Sequence, residues 1–250
     1  MPRFFVRKDS IEQDIVRISG DDAHHIARSL RMAVGETITV CDMQKTEYLC
    51  ELIAFDEDDE VRARILSQKA MNTEPPFLAN LYQALPKGDK LDSVIQKAVE
   101  CGVYSVTPFE SERCVVRIKK EQEDKKTERR QRIATEAAKQ CGRGCIPTVE
   151  PSCSFAEALQ RASHADLPIF CYEGDGTLPL KTLLREPIRA LGGKIPTISI
   201  VVGSEGGFSL KEAAMAKDMG FLMAGLGQRI LRTETAAAFV LGALVYELEL

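Results

Sequence analysis

The sequence predicts an α/β protein with a small β-rich domain at its N-terminal end, and three observations carry that prediction. From residue 77 onward, short and continuously apolar runs alternate with helical stripes, as in a parallel sheet covered on both faces. Before residue 70 the segments are rich in β-forming residues, and several alternate with a two-residue period. Between the two regimes lies QKAMNTEPP, polar and closed by two prolines. That stretch sets the expected division into domains 1–72 and 73–250.

Taken in order, FFVR, DIVRISG, ETITVCD, EYLCELIAF and EVRARIL read as strands, with MQKTE and DEDDE as the polar turns. DAHHIARSLR is one short helical interruption. After the boundary, NLYQAL is an apolar run and the first helix follows it. Leu91, Val94, Ile95, Ala98 and Val99 fall on one stripe, with Asp89 at the N-cap and Gly102 just past the end. SVTPF is the next run. A second helix is expected around Arg129–Gln140, turning Ile133, Ala134, Ala137 and Ala138 inward. PIFCY, TISIVVG and FLMAGLG complete the apolar runs. The chain ends in TETAAAFVLGALVYELEL, a helix apolar on more than one face. Such a helix needs two neighbours: either the core of its own chain supplies both, or a subunit interface supplies the second. The charged run RIKKEQEDKKTERRQR reads either as an RNA contact or, because its acids and bases interleave, as a solvated helix face.

Hydrophobic residues make up 44% and charged residues 28%, an ordinary globular balance. The net charge of −4 excludes a global basic field, so nucleic acid would have to be met by local patches. MPRFFVRKD lacks the apolar core of a signal peptide, and the run Ala236–Tyr246 falls short of the about 20 residues a bilayer requires. A cytoplasmic protein without a membrane segment is expected. The eight cysteines form no C-x-x-C pair and only three histidines accompany them, so no metal site is expected and the thiols should be reduced. His24 and His25 read as packing or capping residues.

Two glycine-bearing loops follow apolar runs, where open α/β sheets bind their ligands. The first is VVGSEGGFSLKEAA, in which Ser209 and Glu212 have capping-box spacing and open a helix. It lacks the G-x-G-x-x-G fingerprint and the P-loop lysine, which argues against a nucleotide-dependent oxidoreductase. Glu205 in its centre disfavours a pyrophosphate, because two like charges in a partly buried site repel strongly. A neutral or cationic ligand is indicated, and S-adenosylmethionine, a sulfonium without phosphate, fits. The alternative is a plain tight turn with Glu205 facing solvent. The second loop, GLGQRILRTETA, adds Arg229 and Arg232, which suit a phosphate or carboxylate, and Thr233, Glu234 and Thr235, which can cap the following helix.

GSEGGFSLKE paired with GLGQRILRTETA resembles the signature of RsmE-like ribosomal RNA uracil-N3 methyltransferases of the SPOUT superfamily. HHIARSLRMAVGE, QALPKGDKLDSVIQKAVECGV, PFESERCVV and EAAKQCGRGCIPTVEP resemble further blocks of that family, in order along nearly the whole chain. One departure is Ser204, where the family usually has proline; the loop is then less rigid.

The resemblance implies S-adenosylmethionine-dependent methylation of N3 of one uridine, uridine 1498, in 16S rRNA of the small subunit. It implies an N-terminal PUA-like β-barrel, a C-terminal SPOUT-type α/β domain with a trefoil knot, and a cytoplasmic homodimer. By motif position the cofactor would be held by Gly203, Glu205, Gly206, Gly207, Leu226, Gly227, Ile230, Leu231, Thr235 and Ala236. Uracil N3 carries a proton at neutral pH, so an anionic base must be made and stabilised; Arg232 is expected to do the latter. Either Glu205 or Glu234 would take the proton, unless Glu205 is a cofactor-side anion and Glu234 a helix cap. Arg3, Arg7, Arg28, Arg31, Lys87, Lys90, Arg113, Arg117 and Arg143 are the candidate RNA contacts, with Arg28 and Arg31 one turn apart. A non-catalytic RNA-binding assembly factor of the same fold is the competing reading, and affinity for the methyl donor separates the two.

Overall fold

A computed structural model describes residues 1–56, 60–190 and 194–250. The chain divides into two compact units, one of Met1–Glu74 with Ala138–Ile146 and one of Pro75–Ala137 with Pro147–Leu250. The first unit is therefore discontinuous in sequence, which a single boundary near residue 72 does not anticipate.

In the first unit the strands are β1 (Arg3–Phe5), β2 (Ile11–Glu12), β3 (Ile15–Ser19), β4 (Thr37–Cys41), β5 (Thr46–Phe55) and β6 (Glu60–Ala70). They form one sheet in the order β1-β4-β5-β6-β3-β2, antiparallel except for the β1–β4 pair. Two-residue alternation turns Tyr48, Cys50 and Leu52 of β5 to the same core as Phe4, Val16, Ile18, Ile38, Val40 and Val61. A helical turn α1 (Asp21–His24) runs into a wider π-type turn over His25–Ser29, and Ala23 and Ile26 seal the core. The centre of the expected DEDDE turn, residues 57–59, lies outside the described residues.

The second unit contains β7 (Leu78–Ala84), α2 (Lys90–Glu100), β8 (Ser105–Glu110), α3 (Lys120–Cys141, whose end belongs to the first unit), β9 (Thr148–Val149) and β10 (Cys153–Ser154). It continues through α4 (Phe155–Ala162), β11 (Leu167–Cys171), β12 (Leu178–Pro179), α5 (Leu180–Ala190), β13 (Thr197–Val202), α6 (Leu210–Asp218), β14 (Leu222–Gly225) and α7 (Thr233–Leu248). Every pairing is parallel, in the order β10-β8-β7-β13-β11-β14-β12, with β9 also on β8. Five consecutive residues of β13, Ile198–Val202, are buried, as expected of a strand covered on both faces. The five apolar runs named from sequence are β7, β8, β11, β13 and β14.

α2 buries the expected stripe of Leu91, Val94, Ile95, Ala98 and Val99, and Gly102 takes φ +82° beyond its end. Asp89 stands at the N-cap, yet its side chain makes no cap bond; only its carbonyl accepts, from Asp92 N. α3 starts at Lys120, inside the charged run, rather than near Arg129. It buries Ala134, Ala137 and Ala138, with Ile133 half-buried. Most of the charged run is a solvated face, but Glu123 and Arg130 are buried in it as an ion pair that also binds Ser152. α7 buries Ala236, Ala237, Val240, Leu241 and Leu244 within the unit and leaves Phe239 and Tyr246 exposed. Among the described residues, no helix is long and apolar enough to cross a membrane.

Candidate functional site

β13, β11 and β14 are adjacent and parallel, so their carboxyl ends emerge side by side. The loops that leave them enclose a cavity of about 590 Å³. That size suits a nucleoside-sized ligand at the place where open α/β sheets bind.

The first wall is the loop after β13. Gly207 N donates to Ser204 O at 2.9 Å and Gly207 adopts φ +63°, a tight turn that presents Glu205 and Gly206 at its tip. At Gly203 the backbone comes close, since a Cβ there would lie 3.2 Å from Gly207 Cα and 3.3 Å from its carbonyl carbon and the facing turn would have to give by a few tenths of an ångström. Ser209 then caps α6 in a full capping box with Glu212. The box is tied to the loop after β8: Ser209 Oγ donates to Glu112 Oε2 at 2.7 Å and Glu112 N donates to Glu212 Oε1 at 2.8 Å. Phe208 packs its ring on Phe170 of β11, with centroids 4.2 Å apart.

Glu205 does not face solvent unpartnered. Lys90 Nζ lies 2.6 Å from its Oε1 and Lys87 N donates to the same oxygen at 3.1 Å. Partial burial pushes the Glu205 carboxyl up, but the Lys90 hydrogen bond, backbone N–H groups and the Lys90 charge outweigh it and hold it below the usual carboxylate value. Its charge is thus compensated within the chain, and the repulsion of a phosphate argued from sequence is weaker than Glu205 alone implies.

The second wall is the loop after β14. Thr233, the first residue of α7, donates from Oγ1 to Gly203 O at 2.6 Å and so joins the two glycine loops. Arg232 at the N-cap accepts from Thr235 N and Ala236 N at 2.9 Å through its carbonyl. Its exposed side chain lines the cavity and has no hydrogen bond or ion pair among the described residues. Glu234 also lines the cavity; its Oε2 is buried with no hydrogen-bond partner. Ser204 Oγ, in the first wall, is a second buried oxygen with no hydrogen-bond partner among the described residues. Such groups are costly unless something completes them.

Of the residues expected to hold a cofactor, Gly203, Glu205, Gly206, Gly207, Leu226, Ile230, Leu231 and Ala236 line the cavity. Gly227 and Thr235 do not; Gly227 borders a separate cavity of about 450 Å³ beside α5 and α7. The third wall, Cys171 at the end of β11 with Tyr172 and Glu173 after it, was not singled out as a site from sequence, although its first two residues close the apolar run PIFCY. Burial pushes the Cys171 thiol up to about 12, so it is a packing residue and not a nucleophile.

The basic candidates separate by environment. Arg113 lines the cavity and donates from Nη1 to Gly206 O at 3.1 Å. Lys90 is committed to Glu205, while the Lys87 side chain is exposed. Arg117 is held by Glu110 at 2.8 Å. Arg7 is exposed beside Asp9. Arg28 and Arg31 are exposed, but Arg31 takes φ +53° past the helical turn, so the two do not share a regular turn. Two expectations need correction. Arg3 is mostly buried, 2.6 Å from Glu47, and the Arg143 side chain is buried against Glu74. Both are internal ion pairs of the first unit. Among the described residues no cluster of metal-ligating side chains occurs.

A family model described as an RNA methyltransferase domain matches residues 73–245, and one described as an RNA methyltransferase PUA domain matches residues 18–66. The ribosomal RNA small subunit methyltransferase E of Bacillus subtilis (strain 168) is 35% identical over 253 aligned residues, spanning 100% of this chain and 98% of that protein. The crystal structure of a ribosomal RNA small subunit methyltransferase E from Neisseria gonorrhoeae bound to S-adenosyl methionine is similar at TM-score 0.85 and 30% identity, covering 99% of this chain and 98% of that one. A putative methyltransferase from Legionella pneumophila, solved in complex with the same cofactor, matches at TM-score 0.85 and 30% identity, covering 98% and 97%. The family-model matches in both units and the 35% identity along the full chain show that this chain belongs to the ribosomal RNA small subunit methyltransferase E family of RNA methyltransferases.

Proposed function

We propose that this chain methylates N3 of a uridine in 16S rRNA, uridine 1498 by the resemblance, with S-adenosylmethionine as donor. One observation carries the chemistry: the cavity holds a buried carboxylate oxygen with no donor, Glu234 Oε2, and the side chain of Arg232 from the same helix start. The donor supplies an electrophilic methyl on a cationic sulfur, and the site suits that ligand. Backbone at Gly203, Gly206 and Gly207 allows close approach, and Leu226, Ile230 and Leu231 offer an apolar slot for a purine. Among the described residues Glu173 and Glu234, which line the cavity, have no ion-pair partner, while Glu205 has Lys90.

In this reading Glu234 accepts the N3 proton of uracil. Arg232 stabilises the charge left on the uracil carbonyls, as a preorganised donor does in an oxyanion hole. The N3 lone pair then takes the methyl, the carbon–sulfur bond breaks, and anion and cation neutralise each other. A closed site favours that cancellation. RNA binding by the first unit, a homodimer that uses the exposed Phe239 and Tyr246 of α7, the cytoplasmic setting and the trefoil-knotted path belong to the same proposal.

The test has two parts. Calorimetry with S-adenosylmethionine and the purified protein should give one site per chain. Mass mapping of 16S rRNA should show one methylated uridine that disappears without this protein and returns on complementation. Persistence of every methylated uridine sinks the proposal, and the absence of donor binding sinks the site.

A further inference from the structure

Gln83 lies at the carboxyl end of β7, with no exposed surface, and it does not line the cavity. Its Nε2 donates to Thr233 Oγ1 at 2.8 Å and lies 3.0 Å from Ala84 O and 3.3 Å from Gly203 O. Thr233 in turn donates to Gly203 O at 2.6 Å. One buried amide thus joins the end of β7, the glycine loop and the first residue of α7. The orientation of the amide is determined, because turning it would set Oε1 against two carbonyl oxygens. That orientation leaves Oε1 buried with no partner. An apolar side chain of similar length would avoid this cost, and stability alone would favour it.

We propose that Gln83 is a positioning residue of the methyl-transfer site, acting through Thr233; the inference rests on the function proposed above. By holding Thr233 against Gly203, Gln83 sets the distance between the two cofactor loops and the direction in which Arg232 and Glu234 leave the start of α7. The chain of donors from amide to hydroxyl to carbonyl polarises in one direction, which strengthens each bond.

The test uses Gln83→Leu, which keeps the volume and removes the donor. Its dissociation constant for S-adenosylmethionine, measured by calorimetry well below the thermal midpoint, should rise about tenfold, the upper range for one neutral hydrogen bond. Single-turnover methylation at saturating donor should fall too, because Arg232 and Glu234 leave the helix start that Thr233 opens. Thr233→Val should reproduce the loss and Thr233→Ser should recover most of the affinity; this pair decides the matter if Gln83→Leu does not fold. Gln83→Leu and Thr233→Val combined should lose less than the two single losses together. Unchanged donor affinity in Gln83→Leu with a lowered thermal midpoint would make Gln83 a purely structural residue. The same affinity in Thr233→Val as in Thr233→Ser would also overturn the inference. If the wild-type chain binds no donor, the parent proposal fails instead.

Discussion

A group that removes a proton needs a lone pair that nothing else holds. At Glu205 one oxygen accepts from Lys90 Nζ and Lys87 N, and the carboxyl is held below its usual value, so it is a weak base. At Glu234 one buried oxygen has no donor among the described residues. Glu234→Gln is therefore expected to lower single-turnover methylation at saturating donor by about 10²–10⁴-fold, the range for loss of a general base. Glu205→Gln should leave the chemical step far less affected, because the amide can still accept from Lys90. Rapid-quench single turnovers across pH compare the two directly. A wild-type rate in Glu234→Gln removes it as the base, and a larger loss in Glu205→Gln reverses the assignment. The sequence put both carboxylates in glycine-bearing loops that follow apolar runs but could not rank them, since the partner that decides the matter, Lys90, lies far away in the chain.

The start of α6 shows what one element contributes to the cavity. Ser209 accepts from Glu212 N at 3.3 Å and Glu212 Oε2 accepts from Ser209 N at 2.8 Å, a reciprocal cap that satisfies two otherwise orphaned donors. α4 has the same box at Ser154 and Glu157, but exposed and confined to its own helix. Ser209 also donates to the exposed Glu112, so its loss removes a charge-assisted hydrogen bond between two loops as well as a helix cap. Ser154→Ala should cost about 1 kcal/mol. Ser209→Ala should cost more, about 2 kcal/mol, read as a larger fall of the thermal midpoint. Equal falls would mean that the bond to Glu112 contributes nothing. The S-x-x-E spacing made the cap legible in the sequence, and continuous apolar runs made β7, β8, β11, β13 and β14 legible. The two-residue strands β2, β9, β10 and β12 are too short to show any period. The interleaved charges of RIKKEQEDKKTERRQR already read as a solvated helix face, but without an apolar stripe they do not fix where α3 begins or join it to the apolar turns near Arg129. Strand order, and hence which loops meet, depends on pairings between distant segments that no local pattern encodes.

At the scale of the whole chain, the first unit is completed by a return. Ala138–Ile146 belongs with Met1–Glu74 although more than sixty residues of the second unit intervene in sequence. Glu74 and Arg143 close that return. Arg143 Nε and Nη2 both donate to the Glu74 carboxylate, and Gly144 N and Cys145 N add bonds to Oε1 at 2.9 and 3.2 Å. Burial pushes the Glu74 carboxyl up, but the Arg143 hydrogen bond and charge and the two backbone donors outweigh it and hold it below the ordinary value. A carboxyl depressed on folding binds fewer protons in the folded state, so stability rises with pH through its titration range. The contribution is complete above the unfolded value, near 4.3, and is lost as the pH falls through the folded value. Glu74→Gln leaves Arg143 buried without a counter-charge, and the expected loss at neutral pH is about 3–5 kcal/mol, as for a broken buried pair. Urea midpoints of wild type and Glu74→Gln should differ most at neutral pH and converge only as the pH falls through the depressed folded value, below the ordinary carboxylate range. A difference independent of pH would show that the carboxylate's charge does not hold the return segment, leaving only the shape of the side chain to do so.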